Sequence, residues 1–488
     1  MPVPAPPSSA PLPGSVSPLW LAAGLSVGAA IALGLARFSY ALLLPPMRAD
    51  LGWSYALAGA MNTANAAGYL LGALMTPWLI RRVGAGRLLL AGAAASALGM
   101  ALNGSSLQTA LLLGWRLASG VSSAWVFITG GLLAARLAER RPGSGGLLIG
   151  VYYGGTGLGI VVSALAVPVV LATFAAHPHG WTFAWWALAG ACAIGTGLLG
   201  ATLRALDRSE RGGPTPAAAP SPSPTMADAA GSSPAPFRSP SASAPSSASA
   251  SPAPLFPSSA ARSPSNAARV VPAAPVTRIT PVTPVTPVTP VTPVRAFGWA
   301  LAGYGCFGAG YIGYMTFVIA LLRQQGASGA RLTLFYSLLG LACMLSSRLW
   351  AGLLDRWRGG QPQALLNALL GVATVLPLIG ASGAWGDALG LASGVMFGGV
   401  FLSVVASTTA LVRHNLPASQ WAAGISAFTI VFAFGQIIGP TVVGWLSDGP
   451  GGLSRGLVAS AAMLWLGALL AWRQRPLVSA GVATPSAG

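Results

Sequence analysis

The chain has 488 residues, enough for two or three soluble domains, but 54% of them are apolar and only 7% are charged. An average soluble domain carries about 25% charged residues, so this composition excludes an ordinary soluble protein. Basic residues outnumber acidic ones by 26 to 8, and every basic residue is an arginine. In a soluble chain that excess would indicate nucleic acid, but a chain this apolar lacks the polar surface for a basic groove. We expect a lipid bilayer as partner, and no nucleic acid.

Twelve apolar stretches are long enough to cross a membrane, because a bilayer core about 30 Å thick needs roughly 20 apolar helical residues. Six predicted helices lie at 18–44, 54–80, 86–105, 108–135, 145–172 and 181–203. Six more lie at 297–322, 331–354, 363–384, 387–412, 419–447 and 453–473. The sequence therefore predicts an all-α membrane protein with twelve transmembrane helices, in two sets of six.

A segment of different composition separates the two sets. Residues 207–295 hold 20 of the 40 prolines, mixed with Ser, Ala and Thr, and end in a Pro-Val-Thr repeat. Proline has no backbone donor and favours extended, solvated chain, and this stretch has too little apolar surface to fold alone. We interpret it as a disordered tether; the alternative is a docking strip for a partner domain that binds Pro-rich peptides.

Five parts are predicted from these boundaries. They are a disordered N-terminal tail at 1–17, a six-helix bundle at 18–205, a disordered cytoplasmic linker at 206–295, a second six-helix bundle at 296–476 and a C-terminal tail at 477–488. The tail has no basic residue and the first apolar run is too long for a cleavable signal peptide. We therefore expect the first helix to be retained.

The arginines predict the orientation. An even number of helices places both termini and the linker on one side of the membrane. The short loops and chain ends on that side carry eleven arginines, against four in the loops of the other side. Because cytoplasmic loops are enriched in Lys and Arg, we expect both termini in the cytoplasm, in a bacterial-type inner membrane. We expect the chain to act as a monomer.

The two halves resemble each other in one loop. The loop after the second helix, Leu79–Gly84, reads LIRRVG, and the loop after the eighth, Leu353–Gly359, reads LLDRWRG. Internal repeats of this kind are typical of secondary transporters. The pattern favours two pseudo-symmetric bundles.

Two helices carry a resemblance to a known family. Residues 34–47 read GLARFSYALLLPPM and run into DLGWS at 50–54, and residues 62–72 read NTANAAGYLLG. These stretches resemble the major facilitator superfamily, most closely its YbfB/YjiJ branch. The resemblance covers nearly the whole chain apart from the N-terminal tail and the linker. It implies a transporter that works by alternating access, and no enzyme.

Two superfamily signatures agree with the resemblance. The loop signature that ends in Asp-Arg is present in the second half as Gly352–Arg356, and the helix 4 signature Arg-x-x-x-Gly is present as Arg116 and Gly120. The resemblance implies that Asp355 and Arg356 form a cytoplasmic latch. In the first half, Arg81 stands where that signature has its acid.

Several polar side chains are predicted at one depth inside the helices. They are Arg37, Tyr40, Asn62, Asn65, Arg116, Tyr311 and Tyr314, with Gln436 as a weaker candidate. Burying an unpaired arginine in hydrocarbon costs roughly 2.5 kcal/mol or more. All eight acids fall in loops, in the linker or at helix ends. Arginines without a counter-ion indicate an anionic ligand, since guanidinium binds carboxylate through two hydrogen bonds.

Each of these residues has a structural alternative. Arg116 could bond backbone carbonyls at a helix junction, the asparagines could hold helices together, and the tyrosine pair could serve packing. Gly439 and Pro440 are predicted to kink helix 11 for alternating access. A membrane carboxylate that could carry a proton is missing from the predicted helices.

The function predicted is secondary active or facilitative transport of a small polar, anionic organic solute. Proton-coupled efflux of toxic compounds is one alternative, and a non-transporting sensor or scaffold that uses the linker is another. We find no HExxH or GxSxG motif, no cofactor motif and no CxxC pair. We therefore expect no enzyme, no cofactor and no metal site.

Overall fold

The computed structural model describes residues 17–140, 145–211, 294–379 and 385–477. Within these ranges the chain forms twelve long helices. They are α1 (Pro18–Leu51), α2 (Tyr55–Val83), α3 (Ala85–Asn103), α4 (Thr109–Glu139), α5 (Gly145–Thr173), α6 (Trp181–Arg211), α7 (Gly298–Gln324), α8 (Gly329–Arg356), α9 (Gln361–Ile379), α10 (Gly386–Asn415), α11 (Trp421–Asp448) and α12 (Gly452–Trp472). The twelve-helix prediction is confirmed.

Some predicted features lie outside the described residues. These are most of the linker, both tails and the end of the predicted ninth helix at 380–384. The predicted boundaries of the two bundles stay predictions. We refer to α1–α6 as the first bundle and to α7–α12 as the second.

Eleven of the twelve helices are apolar enough to cross a bilayer by length and composition alone. The exception, α2, is 29 residues long and packs against α4 and α11. Its polar residues Asn62 and Asn65 are buried against those neighbours. A helix whose polar groups bond protein can lie in a bilayer despite a lower hydropathy, so α2 completes the set.

Short connections join the helices within each bundle, so successive helices run in opposite directions, and the end of α11 meets the start of α2, where Asp448 accepts the Tyr55 N–H. Pro18 and Trp472, where the helical part of the chain begins and ends, therefore lie on one face, which we call the terminal face. The loops that follow α1, α3, α5, α7 and α11 lie on the opposite face, which we call the distal face, as does the start of α10. The enrichment of arginine in cytoplasmic loops bears on which of these two faces is cytoplasmic.

Two distal turns are built alike in the two bundles. Gly52 and Gly326 have φ of 65° and 86°, a left-handed backbone that glycine adopts without steric cost. Two residues later, Ser54 and Ser328 cap α2 and α8, each accepting the N–H three residues on, at 3.1 and 3.4 Å. The matching turns support the internal repeat.

The outer surface suits a bilayer. Apolar side chains are exposed along the helices, and large exposed tryptophans lie near helix ends, as Trp20 and Trp472 do on the terminal face and Trp385 and Trp445 do on the distal face. Tryptophan is enriched where hydrocarbon meets headgroups. Arg82 lies 4.7 Å from the ring of Trp78, which places a cation at the terminal end of that band.

Candidate functional site

The two bundles meet along two seams, α2 against α11 and α5 against α8. Glycine permits α5 and α8 to approach closely in the second seam, because a Cβ on Gly340 would lie only 2.7 Å from the carbonyl oxygen of Gly157. Close backbone approach through small residues is the usual way in which membrane helices pack. The seams bring polar groups from both bundles into one interface.

The first seam is closed at the distal face by Asp448. Its carboxylate oxygens accept the backbone N–H groups of Tyr55 at 2.6 Å and Ala56 at 2.9 Å. These N–H groups form the positive end of α2, where a negative charge is stabilising. Asp448 thus ties the last residue of α11 to the first turn of α2. The sequence placed Asp448 only among the helix-end acids.

Deeper in the same seam, the backbone of α11 offers acceptors. Pro440 has no N–H, so the Gln436 carbonyl four residues earlier receives no helical hydrogen bond from it. The Thr63 hydroxyl of α2 donates to the Ile437 carbonyl at 2.6 Å and lies 2.8 Å from the Thr441 hydroxyl. Gly439 and Pro440, where the sequence predicts a kink, therefore lie within the single helix α11, at its contact with the first bundle.

Arg37 occupies a specialised part of α1. Residues Ala30–Phe38 are π-helical, with the Ser39 N–H bonded to the Gly34 carbonyl five residues earlier at 3.1 Å. Such segments release backbone carbonyls from the helical pattern and are frequent at functional sites. Here the carbonyl of Phe38 accepts the Tyr336 hydroxyl of α8 at 2.7 Å. The segment therefore bonds to the second bundle through its own backbone.

The guanidinium of Arg37 is buried between the bundles. Its side chain is 3% exposed, and Nη2 donates to Oε1 of Gln436 at 2.6 Å. Gln436 Nε2 in turn donates to the Tyr311 hydroxyl at 2.6 Å. Nε of Arg37 is buried and has no hydrogen-bond partner among the described residues. Arg37 therefore has a neutral neighbour and spare donor capacity.

Arg116 is equally buried, at 1% exposed, but each of its three guanidinium nitrogens has a hydrogen-bond partner. Nη1 donates to the Ala36 carbonyl at 2.8 Å, Nη2 donates to Asn62 Oδ1 at 2.7 Å and Nε approaches the Met61 carbonyl at 3.4 Å. The Tyr40 ring lies 4.9 Å from its guanidinium carbon. Arg116 joins α1, α2 and α4, and this geometry favours the positioning alternative for it.

The two asparagines of α2 lie beside Arg116. Asn62 Nδ2 donates to the Thr316 hydroxyl of α7 at 2.8 Å, so Asn62 connects Arg116 to the second bundle. Asn65 donates to the Arg116 carbonyl at 3.2 Å, and its Oδ1 is buried without a partner among the described residues. The predicted layer thus contains Arg37, Asn62, Asn65, Arg116, Tyr311 and Gln436.

Two predicted tyrosines lie at its edge. Tyr40 donates to the Ala58 carbonyl at 2.9 Å. The Tyr314 hydroxyl lies 2.5 Å from the Ser393 hydroxyl, and the Tyr314 ring stacks on Phe397 at 4.0 Å, within the second bundle. The structure therefore does not bring Tyr314 to Arg37.

Asp355 and Arg356 are exposed at the terminal face. In the described part of the chain, neither side chain makes a hydrogen bond or an ion pair. The hydrogen bonds between the bundles lie instead in the distal half of α2, at the middle of α1 and in the distal half of α11. The described contacts thus hold the distal side together.

The charges of this layer are unbalanced. Among the described residues, the buried charged side chains are Arg37 and Arg116, and the acids there are not buried. Those residues also contain no group of three or more His, Cys, Asp or Glu that could hold a metal ion. The layer therefore consists of cations, amides and hydroxyls.

A comparison with known families decides the identity. The family described as "Uncharacterised MFS-type transporter YbfB" matches residues 29–229 and 266–472. The chain belongs to this family. It is therefore a multi-pass membrane transporter of the major facilitator superfamily and not an enzyme, and the resemblance read from the sequence is confirmed.

Solved structures agree with this transporter fold. A bacterial homologue of the human lysosomal transporter Spinster, in an inward-facing and unoccupied conformation, superposes with a TM-score of 0.58 at 13% identity, covering 94% of this chain and 97% of that one. The nucleoside transporter NupG gives 0.57 at 11% identity, covering 94% and 98%. At these identities the likeness concerns the fold alone. No curated protein sequence matches the chain.

Proposed function

We propose that this transporter moves a small organic anion by alternating access, and that Arg37 binds the anionic end. The observation that carries the proposal is a buried guanidinium bonded to a neutral amide, Gln436, with Nε left over. A carboxylate on the solute would supply the counter-charge through two parallel hydrogen bonds. Asn65 Oδ1 and the Tyr311 hydroxyl lie in the same layer and would contact polar groups of the solute.

Arg116 has a different role in this proposal. Its donors are bonded to two backbone carbonyls and to Asn62. It holds the π-helical segment of α1 in place and adds positive potential to the layer, where the low dielectric strengthens charge interactions. The solute carboxylate contacts Arg37, and Arg116 positions Arg37 by holding this segment of α1.

The conformation supports entry from the terminal face. The hydrogen bonds between the bundles concentrate toward the distal side, where Asp448 caps α2. Rocking would break these bonds and close the terminal face. Asp355 and Arg356, exposed and unbonded among the described residues, would then form the latch. We place the terminal face in the cytoplasm of a bacterial-type inner membrane, because its loops carry the arginine excess.

Uptake into proteoliposomes tests the proposal. We expect radiolabelled organic anions to be taken up and to compete with one another better than neutral sugars do. Arg37→Gln should abolish the uptake, whereas Arg348→Gln, at an exposed arginine on α8, should leave it intact. Anions that compete no better than sugars, together with normal uptake by Arg37→Gln, would refute the proposal.

A pH-sensitive dye inside the vesicles separates the modes of coupling. Solute flux without a change in lumenal pH supports uniport or exchange. A pH change in step with flux would favour the alternative of proton-coupled efflux, for which the described residues offer no buried carboxylate.

A further inference from the structure

Two aromatic side chains lie about one helical turn closer to the terminal face than the Arg37–Gln436 pair. Tyr69 follows Asn65 by four residues on α2, and Phe432 precedes Gln436 by four residues on α11. Residues four apart share a helical face. The Arg37 guanidinium carbon lies 5.8 Å from the centroid of the Tyr69 ring. A ring therefore lies directly beside the unbalanced cation.

Phe432 is the partly exposed end of a stack of rings in the second bundle. Its centroid lies 5.6, 5.4 and 4.9 Å from those of Tyr311, Phe307 and Tyr304, with interplanar angles of 15°, 12° and 21°. The three α7 rings are buried. Because the Tyr311 hydroxyl also accepts from Gln436, the stack is joined to the amide that binds the arginine. The three α7 rings thus hold the Phe432 ring in position.

Tyr69 faces this stack from the first bundle. The helices that carry Tyr69 and Phe432, α2 and α11, pack against each other along the first seam, and each residue lies one turn on the terminal side of the polar layer. Tyr69 and Phe432 are each partly exposed. The hydrogen bonds between α2 and α11 lie on the distal side of both residues. The partly exposed rings of Tyr69 and Phe432 therefore lie on the terminal side of these bonds.

We infer that the transported solute is an aromatic acid, with its carboxylate on Arg37 and its ring against Tyr69 and Phe432. This inference rests on the organic-anion proposal and adds a requirement for a ring. Aromatic rings gain from stacked or edge-to-face contacts beyond the area that they bury. The rise of one helical turn, about 5.4 Å, suits a small acid that reaches both the cation and the rings.

The test compares three probes of similar size on the purified full-length protein. Benzoate carries a ring and a charge, cyclohexanecarboxylate carries the charge without a π face, and benzamide carries the ring without the charge. In displacement of radiolabelled benzoate, we expect benzoate to bind about fivefold tighter than cyclohexanecarboxylate. Benzamide should bind more weakly than both acids.

Substitutions at Tyr69 and Phe432 test whether these two rings cause the preference for benzoate over cyclohexanecarboxylate. Phe432→Leu and Tyr69→Leu should each lower the ratio of benzoate to cyclohexanecarboxylate affinity, while the affinity for cyclohexanecarboxylate changes less than about twofold. Tyr69→Phe keeps the ring and should keep the ratio. Phe434→Leu, at a residue on α11 that is 56% exposed, should leave both affinities unchanged. Thermal unfolding of each variant identifies any that fail to fold. Because Tyr69 and Phe432 are tested separately, one variant that fails to fold leaves the other to decide.

Two outcomes separate the inference from the proposal beneath it. If benzoate and cyclohexanecarboxylate bind equally and both are lost in Arg37→Gln, the aromatic inference is wrong and organic-anion transport stands. If benzamide binds as tightly as benzoate and Arg37→Gln changes neither, the organic-anion proposal is wrong, and the acid part of the inference falls with it.

Discussion

Nη2 of Arg37 on α1 donates to Oε1 of Gln436 on α11 at 2.6 Å, which joins the two bundles near the middle of both helices. Arg37 lies 14 residues from Leu51 and Gln436 lies 12 from Asp448, each about 20 Å from the distal end at 1.5 Å per residue. A solute carboxylate bound through two hydrogen bonds would take the Nε that is unpartnered among the described residues and a neighbouring Nη of the same guanidinium that bonds Gln436. Binding at this position and the contact between the bundles are therefore linked.

Gln436→Glu should weaken anion binding strongly. The new carboxylate would lie beside Arg37 and form an internal ion pair, which a solute would have to displace. Because close buried charge pairs couple strongly, we expect affinity for organic anions to fall about tenfold or more. Binding measured by displacement, with thermal unfolding alongside, checks this expectation.

Gln436→Leu is the matched control for that change. It removes the hydrogen bond without adding charge, and the buried guanidinium loses its partner at a cost of about 1–3 kcal/mol in stability. We expect a lower unfolding temperature and a smaller loss of anion affinity than in Gln436→Glu. Undiminished anion binding by Gln436→Glu would mean that the solute does not use Arg37.

Arg116→Gln should act on stability and leave solute preference alone. The change strips the donor from the Ala36 carbonyl and from Asn62 Oδ1, both inside the protein. Leaving buried acceptors unpaired costs about 1–3 kcal/mol each. We expect a clear drop in unfolding temperature in detergent, whereas Arg348→Gln, at an exposed site, should change it little. The lost positive potential should weaken anion binding less than Arg37→Gln does; a loss as complete as that of Arg37→Gln in a still-folded Arg116→Gln would assign this residue to direct contact.

The twelve helices could be predicted because each has an apolar run of sufficient length. Their ends were less well predicted: α4 and α6 continue through polar residues to Glu139 and Arg211, beyond the predicted 135 and 203. Hydropathy marks where a helix leaves the hydrocarbon, and a helix often continues beyond that point. The π-helical segment of α1 has no sequence signal that apolar counting could detect.

The layer of polar residues could be predicted from depth and spacing, but most of its bonds could not. The Arg116 side chain bonds backbone carbonyls, and a carbonyl acceptor leaves no trace in the side-chain pattern. Gln436 was ranked as the weaker candidate, yet it accepts directly from Arg37. The residues missed were Thr63, Thr316, Tyr336 and Asp448. Threonines in membrane helices usually bond their own backbone, so only a structure reveals which ones cross a seam.

Gly120 should not tolerate alanine. A Cβ at this position of α4 would collide with the Asn65 carbonyl and lie 2.8 Å from the Tyr69 nitrogen, both on α2. Because backbone cannot yield as a flexible side chain does, the two helices would have to separate, at about 1–3 kcal/mol. Gly114→Ala on the same helix, where a Cβ meets nothing within 4 Å, should be neutral or slightly stabilising. Thermal unfolding of the two variants gives the comparison, and equal stability would contradict the close crossing.

Deleting residues 215–290 should leave transport intact. The transport proposal assigns solute contact to α1, α2, α7 and α11, and the segment removed lies between α6 and α7. We expect uptake of organic anions by the shortened protein within about twofold of the full chain. In the scaffold alternative, deletion would instead abolish the binding of a partner by a protein that shows no uptake in either form. Uptake by the full chain that vanishes on deletion would assign the segment a part in transport.

Asp448→Asn should shift the transporter toward a conformation open at the distal face. The carboxylate accepts from two N–H groups at the positive end of α2, and an amide offers one neutral acceptor in its place. We expect the distal-open population to rise about fivefold. Spin labels on Gln108→Cys and Ser454→Cys, at exposed distal positions of the two bundles, would report this as a longer distance in protein whose native cysteines are replaced by alanine.

Asp387→Asn is the control for the charge change. Asp387 is also exposed at the distal face, but its ion pair is with Arg331, within the second bundle. Neutralising it removes the same charge without touching the seam, so the distance between the labels should not change. A distance that responds equally to both substitutions would reflect net charge at the distal face. A distance that responds to neither would mean that the remaining seam, with Thr63 against α11, holds the distal side closed by itself.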